Sequence, residues 1–256
     1  MRISVSIPAD GHGNERDAKR RQRRVWQFRA AAIAAAFCMA ASLVLPASAA
    51  APAAGDTYVY RVINVYNGET RGQVTYRVEK VDADRMTESV SADTPVLGAA
   101  HTEVVTRDGN WIRHPLVNHD QPVEYEFSPA YPAYAFPLDI GKTWSVRVTG
   151  TQTATGQQVS VRVDGEVVGS ERVTVPAGSF DTIKVRRATY AGDFEFFRRE
   201  TNIIETLWYA PALGRAVRRE RDSSYMDPSR CGRGPCNPMH GDWDIFELVA
   251  AIPAPH

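Results

Sequence analysis

The sequence is poor in cysteine and contains no apolar run long enough to cross a membrane as a helix. Its longest apolar stretch, residues 30–45, has 16 residues and is rich in alanine, whereas a membrane-spanning helix needs about 20 residues. Only three cysteines occur in 256 residues, and none belongs to a Cys-x-x-Cys-His motif, which excludes covalent haem attachment. The sequence also lacks a repeat of fixed period, which argues against a propeller or a solenoid.

Residues 1–49 instead have the order of parts that is typical of a cleaved secretory signal. The basic block 19–24 precedes the apolar run, and the small residues Ala47 and Ala49 follow it at the −3 and −1 positions. We therefore predict cleavage after Ala49 and export to the periplasm or the medium. The remaining chain, residues 50–256, is predicted to form a single antiparallel β-domain.

The signal leaves the export route open but argues against a lipid anchor. Arg23 and Arg24 fit a twin-arginine signal weakly, so this route stays an alternative to the general secretory one. Cys38 follows Phe37, whereas lipid attachment needs a small residue before the cysteine. We expect Cys38 to be removed with the signal.

The apparent electrical neutrality of the chain comes from this signal. Eight of the 30 Lys and Arg residues but only three of the 30 Asp and Glu residues lie in residues 1–49, which leaves the mature chain acidic by five charges. Nucleic acids and anionic lipid headgroups need a basic surface. We therefore expect no nucleic-acid partner, and no membrane span after cleavage.

Two cysteines, Cys231 and Cys236, remain after cleavage and flank the short sequence Gly-Arg-Gly-Pro. In an oxidising compartment this spacing predicts one disulfide that closes a small loop. The alternative is a copper site, because Met239 and His240 follow directly and soft sulfur ligands bind copper. No second histidine cluster supports that alternative, so the sequence predicts neither a metal nor another cofactor.

Beyond the leader rich in alanine and proline, apolar residues recur with a period of two, which is typical of β-strands. The first strand, residues 57–63, leads into Asn67 and Gly68, a strong hairpin signal, and Asp108 and Gly109 mark another hairpin. No stretch shows a sustained helical period. The sequence predicts an all-β fold, an antiparallel meander curled into an open or half barrel, with two packed sheets as the alternative.

Proline and glycine punctuate this meander. We predict separate strands at residues 159–163 and 167–175, a long crossing loop at residues 128–137, and another long loop at residues 222–242.

Three segments occur in an order that resembles one family. They are residues 136–144, 175–185 and 205–215, followed by Glu-Leu-Val at residues 247–249. Together they are similar to the exported bacterial "domain of unknown function 3108-like" family over roughly residues 120–250. The resemblance implies an extracytoplasmic antiparallel β-domain, and it implies no catalytic or binding residues.

Candidate catalytic groups are few. His114, His119 and Asp120 lie close together in the sequence, and with Glu103 they could form an acid–base or metal cluster. His101 shares a strand face with Glu103 by the period-two rule. The histidine spacing matches no metal signature, and no Gly-x-Ser-x-Gly elbow occurs. We therefore expect these histidines to lie in surface loops and the protein not to be an enzyme. A hydrolase that uses them is the less favoured alternative.

Two charged segments read as solvated sheet faces rather than as sites. One combines Arg215, Arg218, Arg219 and Arg221 with Glu220, and the other combines Asp193, Glu195 and Glu200 with Arg198 and Arg199.

Aromatic residues are concentrated in one short segment. They are Tyr125, Phe127, Tyr131, Tyr134 and Phe136. Such residues either line an apolar cavity or cap the sheet as ordinary core, and curved sheets readily enclose a cavity. We expect an exported protein that binds an amphiphilic or cell-envelope ligand without catalysis. The alternative is an assembly or scaffold module of the envelope.

Overall fold

A computed structural model describes residues 52–116, 123–192, 198–230 and 236–255. Twelve strands in these residues form one closed antiparallel barrel, in which each strand pairs with the next and the last returns to the first. The strands are β1 (Thr57–Asn64), β2 (Thr70–Val81), β3 (Arg85–Ala92), β4 (His101–Thr106), β5 (Trp111–Pro115), β6 (Glu124–Tyr131), β7 (Thr143–Gln152), β8 (Gln158–Val175), β9 (Gly178–Gly192), β10 (Arg199–Ala210), β11 (Arg215–Met226) and β12 (Met239–Ile252).

The predicted all-β, antiparallel meander is confirmed, and the sheet curls further than an open or half barrel. β1 pairs with β12 from Thr57, opposite Ile252, to Asn64, opposite Asp244. Beside this pairing, the Asp56 carboxylate accepts a hydrogen bond from the Ala254 backbone N–H at 2.9 Å. Closure pairs both edges of the meander, which an open sheet would leave exposed.

The alternation in β1 shows how the sequence builds the barrel wall. Tyr58, Tyr60 and Val62 are buried, whereas the residues between them are partly exposed. Val185 and Ala191 on β9 follow the same rule. Side chains at every second position therefore point into the barrel.

Strand β8 corrects one predicted detail. The segments predicted as two strands form one continuous strand of 18 residues. Gly165 lies in its middle, directly opposite Trp144 on β7, and a Cβ at Gly165 would lie 2.1 Å from the indole ring. The tryptophan covers the glycine, so pairing continues through a residue that reads as a break.

Both predicted long loops are shorter than expected. β6 extends to Tyr131, inside the predicted crossing loop. At the other loop β11 extends to Met226, a 3-10 turn spans Pro228–Arg230, and β12 begins at Met239. Within the described ranges no helix has the length and apolar character that crossing a membrane requires. The predicted signal, residues 1–49, lies outside the described residues.

Candidate functional site

Two adjoining cavities lie in the barrel interior. The first has a volume of about 110 Å³ and the second about 80 Å³. Five side chains contact both cavities and separate them, and we call these residues the dividing layer. They are Tyr76, Glu103, Trp111, Arg219 and Phe246.

The first cavity has a mainly apolar wall with a few charged groups. Its apolar lining includes Tyr60, Met86, Val105, Tyr134, Leu207 and Ala216. Glu88, Arg187 and Arg215 add charge to that wall. The cavity extends from the dividing layer to one end of the barrel, where it meets Pro52, which precedes β1, and Gly109 and Gly214, which lie in turns.

The second cavity lies toward the other end and is more polar. Its charged and titratable lining includes Arg71, His101, His114, Glu205, Arg221 and Asp244. The two cavities together give the barrel interior an apolar end and a polar end.

Arg187 and Glu205 form an ion pair in this interior. They lie directly opposite each other on β9 and β10, and Arg187 is 0% and Glu205 4% exposed. Both Nε, at 3.1 Å, and Nη2 of Arg187 donate to the same oxygen, Oε2 of Glu205. Burial alone would raise the pKa of Glu205, but the charges of Arg187, Arg219 and Arg221, with the hydrogen bond from Arg187, together outweigh burial and lower this pKa to about 2.

A second buried pair joins Arg215 to Glu88 at 3.0 Å. The guanidinium lies 3.9 Å from the centre of the Tyr58 ring, and its Nε donates to the Tyr60 hydroxyl at 3.2 Å. That hydroxyl donates in turn to the Ala216 carbonyl at 2.7 Å. Two nitrogens of Arg215 therefore donate to acceptors within the protein.

Glu103 is buried between two histidines. His101 Nε2 lies 3.3 Å from Glu103 Oε1 in hydrogen-bond geometry, and His114 Nδ1 lies 2.9 Å from the same oxygen without the alignment of a hydrogen bond. Burial opposes ionisation of Glu103, yet the His114 charge and the bond from His101 hold the pKa of its carboxyl well below the usual range. The His114 ring also stacks on Trp111, with ring centres 3.9 Å apart.

Arg219 differs from these arginines. Among the described residues its guanidinium makes no hydrogen bond and no ion pair, and its contact is with the Phe246 ring, 4.0 Å from the ring centre. Burial would lower the pKa of Arg219, and nearby Tyr76, Glu205 and Glu103 outweigh burial and raise it. Arg219 is thus an interior cation that faces both cavities without a bonded acceptor.

The prediction that the β11 arginines form a solvated face is wrong for part of the strand. Arg215, Arg219 and Arg221 line the cavities, whereas Arg218 and Glu220 line neither. Because both faces of β11 carry charge, its pattern alone does not indicate which face is inside. In the other acidic segment, Asp193 and Glu195 lie outside the described residues, and Glu200 is exposed.

The five aromatic residues of the predicted ligand-binding group lie in different parts of the fold. Tyr131 lines the second cavity and Tyr134 the first. Tyr125 and Phe127 pack in the core beside β7 and β8, and Phe136 is 39% exposed. As a ligand-binding group these five residues stay a prediction, and two of them reach a cavity.

The remaining predicted sites are described only in part. Of the candidate catalytic group, His114 and Glu103 are in contact, while His119 and Asp120 lie outside the described residues. Cys231 also lies outside them, so the disulfide with Cys236 stays a prediction. In the described ranges no three His, Cys, Asp or Glu side chains are arranged to hold a metal ion.

Sequence reasoning missed the paired interior charges, although a signal was present. Arg187 falls in phase with the buried Val185 and Thr189 on β9, and Glu205 falls in phase with Ile203 and Leu207 on β10. A charge at a position that the alternation assigns to the core indicates a buried partner or a ligand.

No protein-family model matches the chain, nor does any curated protein. Similar solved structures include a protein named as a lipoprotein from Parabacteroides distasonis, at 16% identity and a TM-score of 0.46, covering 78% of this chain and 96% of that one. Another, from Bacteroides fragilis, is named as exported with a YmcC-like fold, at 16% identity and a TM-score of 0.47, with the same coverages. The hypothetical lipoprotein YmcC from Escherichia coli has 12% identity and a TM-score of 0.35, covering 78% of this chain and 85% of its own.

At these identities and scores the similarity does not define a role for this chain. The resemblance to the domain of unknown function 3108-like family stays a prediction, because no family model matches.

Proposed function

We propose that this protein is an exported envelope protein that binds a small amphiphilic molecule inside its barrel, without catalysis. The observation that carries the proposal is the contact of an apolar cavity with a polar one across a single layer of side chains. Pockets of this kind, an apolar wall with a few converging polar groups, are typical of small-molecule sites.

The cavity volumes limit the size of the ligand. A cavity of about 150 Å³ holds a benzene molecule, and the first cavity, at about 110 Å³, is somewhat smaller. A ring or a short chain fits there once a few side chains adjust. A long acyl chain fits only if the dividing layer moves.

The turns at the apolar end supply the entry path. Pro52, Gly109 and Gly214 line the first cavity and are each partly exposed. A Cβ at Gly214 would lie 3.2 Å from the Pro52 ring. A larger side chain at Gly214 would therefore press against Pro52 at this end of the first cavity.

Native mass spectrometry of the exported protein, with an organic extract, tests the proposal. We expect a stoichiometric small-molecule adduct, and we expect the purified protein to take up benzyl alcohol in calorimetry. The Ala216→Leu variant fills the first cavity and should abolish uptake, whereas Ala212→Leu, in the exposed turn before β11, should retain it.

A bare mass with no uptake of benzyl alcohol would overturn the proposal. The same result would direct attention to the alternative role in protein assembly. That role would use exposed apolar side chains such as Phe136, Ile140 and Val168.

A further inference from the structure

We propose that Arg219 binds the carboxylate of a small monocarboxylic acid whose hydrocarbon part occupies the first cavity. This inference rests on the proposed function and names the chemical class of its ligand. Four observations carry it: the missing acceptor, the apolar neighbours, the position between the cavities and the surrounding charges.

The other arginines that line the cavities each lie within ion-pair or hydrogen-bond distance of an acceptor, although Nη1 of Arg187 and Nε of Arg71 make no hydrogen bond. Arg187 is bound by Glu205 and Arg215 by Glu88, while Arg71 lies 3.0 Å from Asp244. Arg221 donates to the Leu116 carbonyl at 3.1 Å. Within the described residues, the guanidinium of Arg219 has no such acceptor, and its side chain is only partly buried, so its donors are open to the cavities that it lines.

The strand register explains why Arg219 lacks a partner. Its neighbours across the sheet are Leu207 on β10 and Phe246 on β12, and both are apolar. Two residues further along β11, Arg221 lies between Glu205 and Asp244. The same strand thus carries one arginine between two acids and another between two apolar side chains.

The orientation of Arg219 leaves its donors available. The guanidinium carbon of Arg219 lies 4.0 Å from the centre of the Phe246 ring. Its N–H groups lie in the guanidinium plane, and the edge that binds a carboxylate bidentately has no acceptor among the described residues. Arg219 lines both cavities, and an acceptor in either one could meet that edge.

The surrounding charges favour a single negative charge on the ligand. Glu88 and Glu103 line the first cavity and Glu205 lines the second. Each has a cation or a histidine in contact. Since each of these carboxylates already has its own partner, Arg219 is left to pair with a ligand, and one negative charge on that ligand balances it.

The apolar wall defines the rest of the ligand. Met86, Val105 and Leu207 line the first cavity beside Arg219. Because this volume is near that of a benzene-binding cavity, the hydrocarbon part is one aromatic ring or a chain of a few carbons.

Calorimetry with benzoate, hexanoate, benzamide and benzyl alcohol tests the assignment. We expect the two acids to bind more tightly than the two neutral probes. Arg219→Gln should weaken benzoate binding about 10- to 100-fold, the range that a charge-assisted hydrogen bond supports, and should leave benzyl alcohol binding unchanged. Arg218→Gln, on the opposite face of β11, is the matched control and should bind benzoate as the wild type does.

A crystal structure with benzoate tests the same point without a variant. The carboxylate should lie within hydrogen-bond distance of the Arg219 guanidinium, and a carboxylate directed to the barrel end would overturn the assignment. Equal binding of benzoate and benzamide would also overturn it, while leaving interior binding intact. Failure of all four probes, together with a bare mass, would overturn the proposed function and this inference with it.

Discussion

Arg187 and Glu205 face each other across β9 and β10, and two nitrogens of the fully buried Arg187 donate to one carboxylate oxygen of the nearly buried Glu205. The Arg187 guanidinium also lies 4.8 Å from the centre of the Trp111 ring. This pair connects the wall of the barrel to the dividing layer. Loss of this pair should therefore change both the stability of the barrel and the shape of the cavities.

Removing one member of this pair should destabilise the barrel strongly. We expect Glu205→Gln or Arg187→Met alone to lower the free energy of unfolding by about 3–5 kcal/mol, because each leaves a buried charge uncompensated. The double variant Arg187→Met with Glu205→Leu should cost less than either single change. Urea denaturation measures these differences. Arg172→Gln, which breaks an exposed pair with Asp181, should have almost no effect.

The buried carboxylates should make the barrel sensitive to acid. The pKa of Glu205 is lowered to about 2, and that of Glu103 is lowered well below its usual range. A lowered folded-state pKa gives stability that is present above the unfolded value of about 4.3 and is lost as the pH falls. We expect urea midpoints to decrease from pH 5 downward.

Two variants test whether Glu205 causes this loss of stability in acid. Glu205→Gln should be less stable at pH 7 and should lose less further stability between pH 5 and pH 3. Glu166→Gln, at an exposed position of β8, should keep the wild-type slope. An unchanged slope in Glu205→Gln would show that other groups cause the acid sensitivity.

The two histidines beside Glu103 should titrate in opposite directions from their ordinary value. Burial lowers the pKa of His101, but its bond to Glu103 and the Glu103 charge outweigh burial and raise it. Burial dominates at His114 and lowers its pKa. We expect NMR titration of the ring nitrogens to place His101 above about 6.5 and His114 below it.

The opposite pKa shifts of the two histidines should make the stability of the barrel change with pH in opposite directions. The raised pKa of His101 gives stability that is present below about pH 6.5 and is lost as the pH rises through the folded value. The lowered pKa of His114 gives stability that is present above about pH 6.5 and is lost as the pH falls. His101→Gln and His114→Gln assign the two signals, and the reverse order would contradict the geometry around Glu103.

Gly165 should not tolerate a methyl group. A Cβ there would lie 2.1 Å from the Trp144 indole, so Gly165→Ala should destabilise the barrel by about 1–3 kcal/mol. Gly169 lies on the same strand with nothing within 4 Å of its Cβ position, and Gly169→Ala should be neutral or slightly stabilising. Thermal unfolding compares the two. Equal stability of both variants would show that Trp144 moves aside at no cost.

Much of the fold follows from the alternation of side chains along each strand. The pattern of Tyr58, Tyr60 and Val62 indicates an inward face, and the signal at Asp108 and Gly109 gives the turn between β4 and β5. Closure could not be predicted, because it depends on the pairing of β1 with β12, which lie almost 200 residues apart in the sequence. Local periodicity carries no information about such a distant pairing.

The candidate site could be predicted only in part. The aromatic segment indicated Tyr131 and Tyr134, which do reach the cavities. The interior position of Arg219 could not be predicted, because Arg218 and Glu220 beside it are charged as well. Hydrophobic alternation distinguishes two faces only when one of them is apolar.

The pairing of β1 with β12 also constrains how a newly made chain folds. β1 has its full set of hydrogen-bonded neighbours only after β12 has been synthesised, so closure of the barrel is a late event. Contacts between distant parts of a sequence form slowly, and the open sheet meanwhile has two bare edges that can pair with other chains. The seam that completes the barrel is therefore where its assembly is most exposed to aggregation.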